Sequence, residues 1–528
     1  MHADQALCDE LAAMTTVAQS LVRWLQQMGT EVIFGIPGVH TIELYRALPD
    51  AGIRHVTPRH EAGAGFMADG YARVSGRFGV ALVITGPGLT NILTPMAQAR
   101  ADSVPMLVIS GVNRRDSLGK GLGHLHELPD QLALSATLGP AFHLDRADDL
   151  PAILDQIAGA LTNGRGGPVH LQIPLDLMAA QAPDAPSRIA DQAAAAVPDV
   201  SAANALLAQA LRPVIVAGGG CRRAGAALQA LADRLGAPVI LTTNARGLMH
   251  AHPLVVPAAP SLAPVRELIA SADQLLVLGS EIGPTDWDMY DDGGLPDLAG
   301  MIRVDIDAAQ LARHPAALTL QGDLADILPL LHGATSADGA QRAAQARNAA
   351  HAALPAGYAA EIALLNRLRD SCPDAIMVGD STQVIYAGNL YYDHDRPCGW
   401  FNAATGYGAL GYAPGASVGA ALAAPDARIL CLIGDGGLMF SPAELLTAVE
   451  ENLNITFIVF NNAGYGEIAS AMKAAGAQVL GCTPRPPDFA DLARACGLPF
   501  TRTTPDAIDA TQSGPRMIEV TLPPVTTT

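Results

Sequence analysis

The sequence predicts an α/β protein of three domains, each a parallel sheet flanked by helices. Three observations carry that expectation. The chain has 528 residues, more than one hydrophobic core usually serves. Half of the residues are hydrophobic and 16% are charged, a balance that can bury large cores and excludes wholesale disorder. Short β-rich runs alternate with segments of helical pattern along most of the chain, as expected for parallel strands joined by helical crossovers.

In the first block the order is EVIFGIPG, a helix from His40, HVTP, a helix from Glu61, GVALVITGPG, a helix from Thr90, and PMLVISG. A helix after Asp149 and the strand GPVHLQIP close it. The regular pattern opens at Met14 rather than Met1, so the first residues read as an extension or an upstream start. QAPDAPSRIADQAAAAVPDV is poor in large apolar residues and contains three prolines, which suits a linker with a boundary near residue 190. The middle block offers RPVIVAGGG, APVILTTN, DQLLVLGSEIG and MIRVDIDA, with AGAALQALADRL as a helix, and ends in an Ala-rich polar stretch from Gly333 to Pro355. The third block has a helix over Ala359 to Ser371, AIMVGDS, a helix from Gln383, the Gly-rich FNAATGYGALGYAPGASVGAAL, RILCLIGDGG, a helix and NITFIVFNN. The expected domains are 14–180, 198–335 and 356–528, and the two outer blocks share a similar element order.

The net charge of −19 repels a nucleic-acid backbone over most of the surface and favours a small ligand, held where a metal or local dipoles override that field. Seven cysteines with no C-x-x-C pair argue against a disulfide framework or a thiolate zinc site, which fits a reducing, cytoplasmic location. No apolar run reaches the length of a membrane span, and the start lacks the order of a secretory signal.

The strongest chemical signal is RILCLIGDGG, SPAELLTAVEENL and NITFIVFNNAGYGE, a strand, a helix and a second strand. Ser441, Pro442 and Glu444 form a capping box at the helix start. Asp435 and Asn462 then fall at the carboxyl ends of successive parallel strands, where α/β sheets bind ligands. A carboxylate, an amide oxygen and a carbonyl from the loop Ala463, Gly464, Tyr465 and Gly466 make a hard oxygen set suited to Mg²⁺, with further positions open to water and phosphate. Gly434, Gly436 and Gly437 let main-chain N–H groups approach that phosphate. GDGG or NNAG alone suits a tight turn; the two together across one strand-helix-strand unit point to a site.

These motifs resemble the diphosphate and magnesium motif of thiamine diphosphate-dependent enzymes, and the chain from about Met14 to near its end resembles the acetolactate synthase and 2-oxoacid decarboxylase superfamily. That resemblance implies a pyrimidine-binding, a central and a diphosphate-binding domain in this order, with Asp435, Asn462 and the Gly464 carbonyl as metal ligands. A second mark is PRHEAGAGFMADGYARVSG, where Glu61 opens a helix of small residues. Alone, Glu61 is an acid favoured by a helix N-terminus. By the resemblance it bonds the aminopyrimidine N1′ and favours the imino tautomer, whose nitrogen removes the thiazolium C2 proton. A positioned base is worth about 10² to 10⁴ in rate, and the resulting ylid is the nucleophile this cofactor supplies.

Because family members bridge the cofactor between the first domain of one subunit and the third of another, the resemblance implies a homodimer or homotetramer with sites between subunits. TGPGLTN, from Thr85 to Asn91, resembles the family's loop near the cofactor. Leu410 matches the apolar residue that holds the cofactor bent, and Tyr465 falls beside the metal loop. Ser381, Thr382 and Gln383 match a helix start that binds diphosphate oxygens; Asp380 is an unusual neighbour for phosphate and reads as structural.

The reaction follows less directly. Once an ylid has attacked a 2-oxo acid, loss of CO₂ leaves an enamine that is protonated to an aldehyde or attacks a second carbonyl. Leu125, His126 and Glu127 stand where acetolactate synthases carry an aromatic-Gln-Glu stretch, and Ser381, Thr382 and Gln383 replace their Gln-His-Gln. The adjacent His pair of pyruvate decarboxylases is absent, since His124 and His126 are separated by Leu125. GIPGVHTIELYR, VNRRDSLGKGLGHLHELPDQ and NNAGYGEI most resemble the group of 5-guanidino-2-oxopentanoate (2-ketoarginine) decarboxylases. A guanidinium tail needs a carboxylate, with Glu467 the first candidate and Glu127 the second. His40, His124 and His126 are candidate proton donors or carboxylate contacts.

The expected activity is therefore a thiamine diphosphate- and Mg²⁺-dependent 2-oxoacid decarboxylase, a lyase. The alternative is an acetolactate synthase-like carboligase, a transferase, and behind it a non-catalytic member of the family. VAGGGCRRAG lacks a clean G-x-G-x-x-G, so a dinucleotide oxidoreductase is a weak reading, and FAD in the central domain is not favoured.

Overall fold

The computed structural model describes residues 15–183, 197–287, 294 and 296–526. The Met14 start, Cys8 and residues 184–196 of the expected linker lie outside the described residues. Among those described there are three six-stranded sheets, and every pairing within them is parallel. Cys221, Cys372, Cys398, Cys431, Cys482 and Cys496 are free. No helix of the described residues is long and apolar enough to cross a membrane.

The first sheet runs Arg54–Val56, Val32–Gly35, Gly79–Val83, Met106–Val112, Pro168–Pro174 and Ala141–His143 from edge to edge. In sequence rank this is second, first, third, fourth, sixth, fifth. The third sheet repeats that rank order with Trp400–Asn402, Ile376–Gly379, Ile429–Gly434, Ile455–Asn461, Arg516–Thr521 and Phe500–Thr503. The middle sheet is wired differently, as Val255–Val256, Val239–Leu241, Pro213–Ala217, Gln274–Leu278, Ile302–Asp305 and Leu318–Gln321. Its central strands are buried end to end, as parallel strands covered on both faces must be.

By contact the chain forms two compact units. One holds the first sheet together with Pro414–Pro425 and Ser441–Leu453; the other holds the middle and third sheets. Within the first unit, the helix Glu61–Ser75 starts at the extended His60, whose Nδ1 accepts the Ala62 N–H at 3.1 Å, and ends at Gly76 with φ +73°. That is the left-handed stop at which glycine is favoured. Its small residues serve close packing on the helix Tyr412–Ala423: a Cβ on Gly70 would lie 2.0 Å from the Ala416 carbonyl oxygen, and one on Gly419 1.9 Å from that of Met67.

Three local expectations change. The helix expected from Thr90 begins at Pro87, which suits a first turn because it has no N–H to leave unpaired. The Ala-rich stretch after Gly333 contains the helix Gly339–Ala352, whose Ala343, Ala346 and Ala350 are buried against the middle domain's core. The helix expected to be capped by Ser441 starts three residues after it, at Glu444. The helix spans Glu444–Glu450 and its cap position, Ala443, makes no side-chain cap bond. Buried Glu444 instead accepts the Arg59 N–H at 3.1 Å and the Thr447 hydroxyl at 2.8 Å. Two donors at a packed position engage its carboxyl group.

Candidate active site

The third sheet reverses its strand order between Ile376–Gly379 and Ile429–Gly434, and ligands of open α/β sheets bind where such a reversal parts the loops. A cavity of about 470 Å³ lies there, lined by Ser381, Thr382, Gln383, Leu410, Gly434 and Asp435 among others. Gly436, Gly437, Asn462, Gly464, Tyr465 and Glu467 line it as well. All the site residues expected from the third block thus share one cavity.

The register explains the meeting of Asp435 with Asn462. Ile429–Gly434 and Ile455–Asn461 pair in parallel with Gly434 opposite Phe460, so the two loops leave the sheet side by side. Asp435 is 3% exposed. Burial raises its carboxyl above the ordinary range, against the N–H groups of Gly436, Asn462 and Gly464 that face it. Asn462 Oδ1 accepts the Gly464 N–H at 3.2 Å. Among the described residues no three His, Cys, Asp or Glu side chains form a metal cluster, so an ion here depends on one carboxylate with amide and main-chain oxygens. Such hard donors fit Mg²⁺. Gly436 has a packing reason too, since a Cβ there would stand 2.5 Å from the Tyr465 ring.

Beside this floor, Thr382 precedes the helix Gln383–Leu390 and makes no cap bond with its side chain. Gln383 Nε2 donates to Glu467 Oε2, at the start of the helix Gly466–Ala474. Asp380 does not line the cavity. Fully buried, its carboxyl is pushed up to about 6 by burial, against the N–H groups of Ala413, Ser381, Gly411 and Tyr412. It accepts the Ser381 N–H at 3.0 Å and the Ala413 N–H at 3.1 Å, a structural task that fixes the loop's shape.

At the first sheet, Glu61 is partly buried and accepts a hydrogen bond from Asn91 Nδ2 at 2.9 Å. The expected histidines separate. His124 is exposed. His126 adopts φ +62° and stands with its ring centroid 5.5 Å from that of His40. His40 is buried, its pKa lowered by burial and then by His126, and the Nδ1 atoms of both rings are buried without a hydrogen-bond partner. Gly86 makes room for them: a Cβ there would meet the His126 carbonyl oxygen at 2.5 Å. Glu127 is a loop clamp. Its oxygens accept the N–H groups of Leu122, Gly123 and His124 at 3.2, 2.6 and 2.9 Å. Desolvation alone would raise its pKa, but those N–H groups hold it below the usual range. That use of both oxygens weighs against a tail-binding role for Glu127.

Sequence reasoning missed Glu361, a wall of the cavity in the first turn of Tyr358–Ser371. The signal was available: this helix runs into the strand Ile376–Gly379, so its beginning lies at the ligand end of the sheet.

Three family models match the chain in order: thiamine pyrophosphate enzyme, N-terminal TPP binding domain, over residues 15–134; the central domain over 200–331; and the C-terminal TPP binding domain over 379–520. The chain belongs to the thiamine pyrophosphate enzymes. It is 44% identical to the probable 2-ketoarginine decarboxylase AruI of Pseudomonas aeruginosa over 501 residues, 91% of this chain and 88% of that protein. It is also 31% identical to the acetolactate synthase isozyme 1 large subunit of Escherichia coli, across 85% of this chain and 82% of that one. The acetolactate synthase large subunit of Corynebacterium glutamicum is 30% identical, over 86% and 76%.

Proposed function

We propose that the protein decarboxylates a 2-oxo acid, 5-guanidino-2-oxopentanoate by preference, using thiamine diphosphate and Mg²⁺. The observation that carries the cofactor assignment is the third-sheet cavity. Its described walls bring Asp435 beside the Asn462 loop and include no Lys, Arg or His. A diphosphate held there needs a cation to offset its charge, and Asp435, Asn462 and the Gly464 carbonyl are the donors assigned to it. The substrate assignment is supported by the similarity to AruI.

Bound there, thiamine diphosphate supplies a carbon nucleophile and an electron sink. The chain's own residues do the rest. Ser381, Thr382 and Gln383, with the N–H groups of Gly434, Gly436 and Gly437, hold the diphosphate. Leu410 and Tyr465 shape the cofactor's path, and Glu61, oriented by Asn91, holds a proton at the pyrimidine. His40 and His126, with ring centroids 5.5 Å apart, are the candidate proton donors or substrate-carboxylate contacts. Exposed His124, whose N–H is bonded to Glu127 Oε2 at 2.9 Å, lies on the loop that carries His126 and is a further candidate proton donor. Two copies of the chain complete each site, one supplying Glu61 and the other Asp435, in a homodimer or homotetramer. Cytoplasmic location belongs to the same proposal and fits the six free thiols among the described residues.

A second reading, carboligation of the acetolactate synthase kind, is favoured by the 31% identity to the Escherichia coli enzyme. Purified protein with Mg²⁺ and thiamine diphosphate, offered pyruvate or 5-guanidino-2-oxopentanoate, separates the two. Release of CO₂ and 4-guanidinobutyraldehyde supports the decarboxylase. Acetolactate from pyruvate, without the guanidino aldehyde, overturns it.

A further inference from the structure

We propose that Glu361, with Glu467 on the wall of the same cavity, selects 2-oxo acids bearing a cationic tail. The proposal deepens the decarboxylase reading and rests on it for the identity of the reacting end.

The argument begins with the charge of the cavity walls. Three carboxylates line the described cavity, Glu361, Asp435 and Glu467, and no basic side chain does. Asp435 sits at the floor among main-chain N–H groups. Glu467 already accepts from Gln383. Glu361 is different: it is partly buried, and among the described residues it has neither hydrogen bond nor ion pair. Burial raises its carboxyl above the ordinary glutamate range with no opposing group. Its oxygens still reach the cavity, where a ligand can pair with them, and a partly desolvated acid in a cleft marks a functional position.

The occupant that relieves this arrangement is a cation. An anionic or apolar tail leaves Glu361 unpaired and adds repulsion or further desolvation. A guanidinium or ammonium gains a charge-assisted hydrogen bond, bidentate in the guanidinium case. Tyr386 and Tyr407 line the same cavity, and aromatic rings attract a planar cation. Glu127 cannot compete, because its oxygens are taken by the loop it clamps.

The test compares wild-type, Glu361→Gln and Glu361→Asp holoenzymes on 5-guanidino-2-oxopentanoate and uncharged 2-oxohexanoate. In Glu361→Gln the ratio of kcat/KM for the cationic acid to that for the neutral one should fall about 10- to 100-fold, the size of a lost charged hydrogen bond. Glu361→Asp should restore part of it. Calorimetry with unreactive 5-guanidinopentanoate, against hexanoate, gives a readout independent of turnover, and its affinity should fall by a similar factor. An unchanged ratio, or equal losses on both substrates, overturns the proposal. If the wild-type enzyme decarboxylates no 2-oxo acid, the decarboxylase reading falls by itself. The calorimetric arm then decides the role of Glu361, which is rejected if wild-type and Glu361→Gln bind 5-guanidinopentanoate alike.

Discussion

The first and third sheets have the same strand order and opposite contents at their reversal points. In the third, the loop after the third-ranked strand is Gly434, Asp435, Gly436 and Gly437, and it borders an open cavity of about 470 Å³. In the first, the corresponding loop, Ile84 to Pro87, is held by the chain's own side chains. Gln131 Oε1 accepts the Thr85 hydroxyl at 2.8 Å and the Gly86 N–H at 3.3 Å, while its Nε2 donates to the Gly111 carbonyl at 2.9 Å. Shared wiring fixes where loops converge, and the residues on them decide whether the crevice receives a ligand or is braced from within. On the proposed reading the third sheet receives the diphosphate, and the first presents rigidly held polar groups to the rest of the cofactor.

The largest expected effect tests the presenting half. Glu61→Gln should lower turnover by about 10² to 10⁴, with cofactor affinity, read from the titration of protein fluorescence with thiamine diphosphate and Mg²⁺, changed far less. Equal losses in both would erase the distinction between the sheets. Next comes the receiving half. Asp435→Ala removes the one carboxylate of the proposed metal set, so cofactor affinity should fall by at least the 10- to 100-fold that outer partners of a metal site are worth. Raising Mg²⁺ should recover part of the loss; affinity indifferent to both changes would move the metal elsewhere. Smaller again is Gln131→Ala, which strands the Thr85 hydroxyl, the Gly86 N–H and the Gly111 carbonyl. A stability loss of about 1–3 kcal/mol, measured as a lower Tm with cofactor affinity preserved, would confirm that bracing is its task.

How much of this was legible in the sequence divides along the same line. Ile429–Gly434 is an unbroken apolar run leading into Gly-Asp, and Ile455–Asn461, interrupted only by Thr456, leads into Asn-Asn, so the sequence marks both the strands and the place where their loops meet. Edge strands leave a fainter trace. Val255–Val256, Ala141–His143 and Trp400–Asn402 are two or three residues long and owe their conformation to a neighbouring strand. Arg516–Thr521 is an interior strand that Arg516 and Glu519 disguise, because both are buried polar residues. The site followed suit. Residues adjacent to strong motifs line the cavity, whereas the pairing of His40 with His126, the engagement of Glu127 by its own loop and the unpartnered side chain of Glu361 depend on tertiary contacts that no spacing encodes. The helix start moved from Ser441 to Glu444 in the same way, with Glu444 engaged by the distant Arg59 N–H.

The braced crevice has a consequence that the open one lacks, and it provides the smallest predicted effect. Beneath Gln131 lies His170, fully buried, with Nε2 2.8 Å from Ser110 Oγ and Nδ1 2.6 Å from Ser135 Oγ. Burial pushes its pKa down from 6.5 to about 3. Above pH 6.5 neither the folded nor the unfolded chain carries a proton there, and this residue contributes no pH dependence. Between 6.5 and about 3 the unfolded chain binds a proton that the folded one does not, so the stability present above 6.5 is lost as pH falls, by up to about 1.4 kcal/mol per pH unit. His40, His55 and His143 are shifted in the same direction, so the wild-type slope alone does not isolate His170. A His170→Asn variant keeps polar atoms for the serines but does not titrate. Its Tm, measured from pH 7.5 to 5.5, should fall less steeply than that of wild type, and parallel curves would show that His170 accepts a proton without unfolding, in a crevice less firmly packed than its hydrogen bonds require.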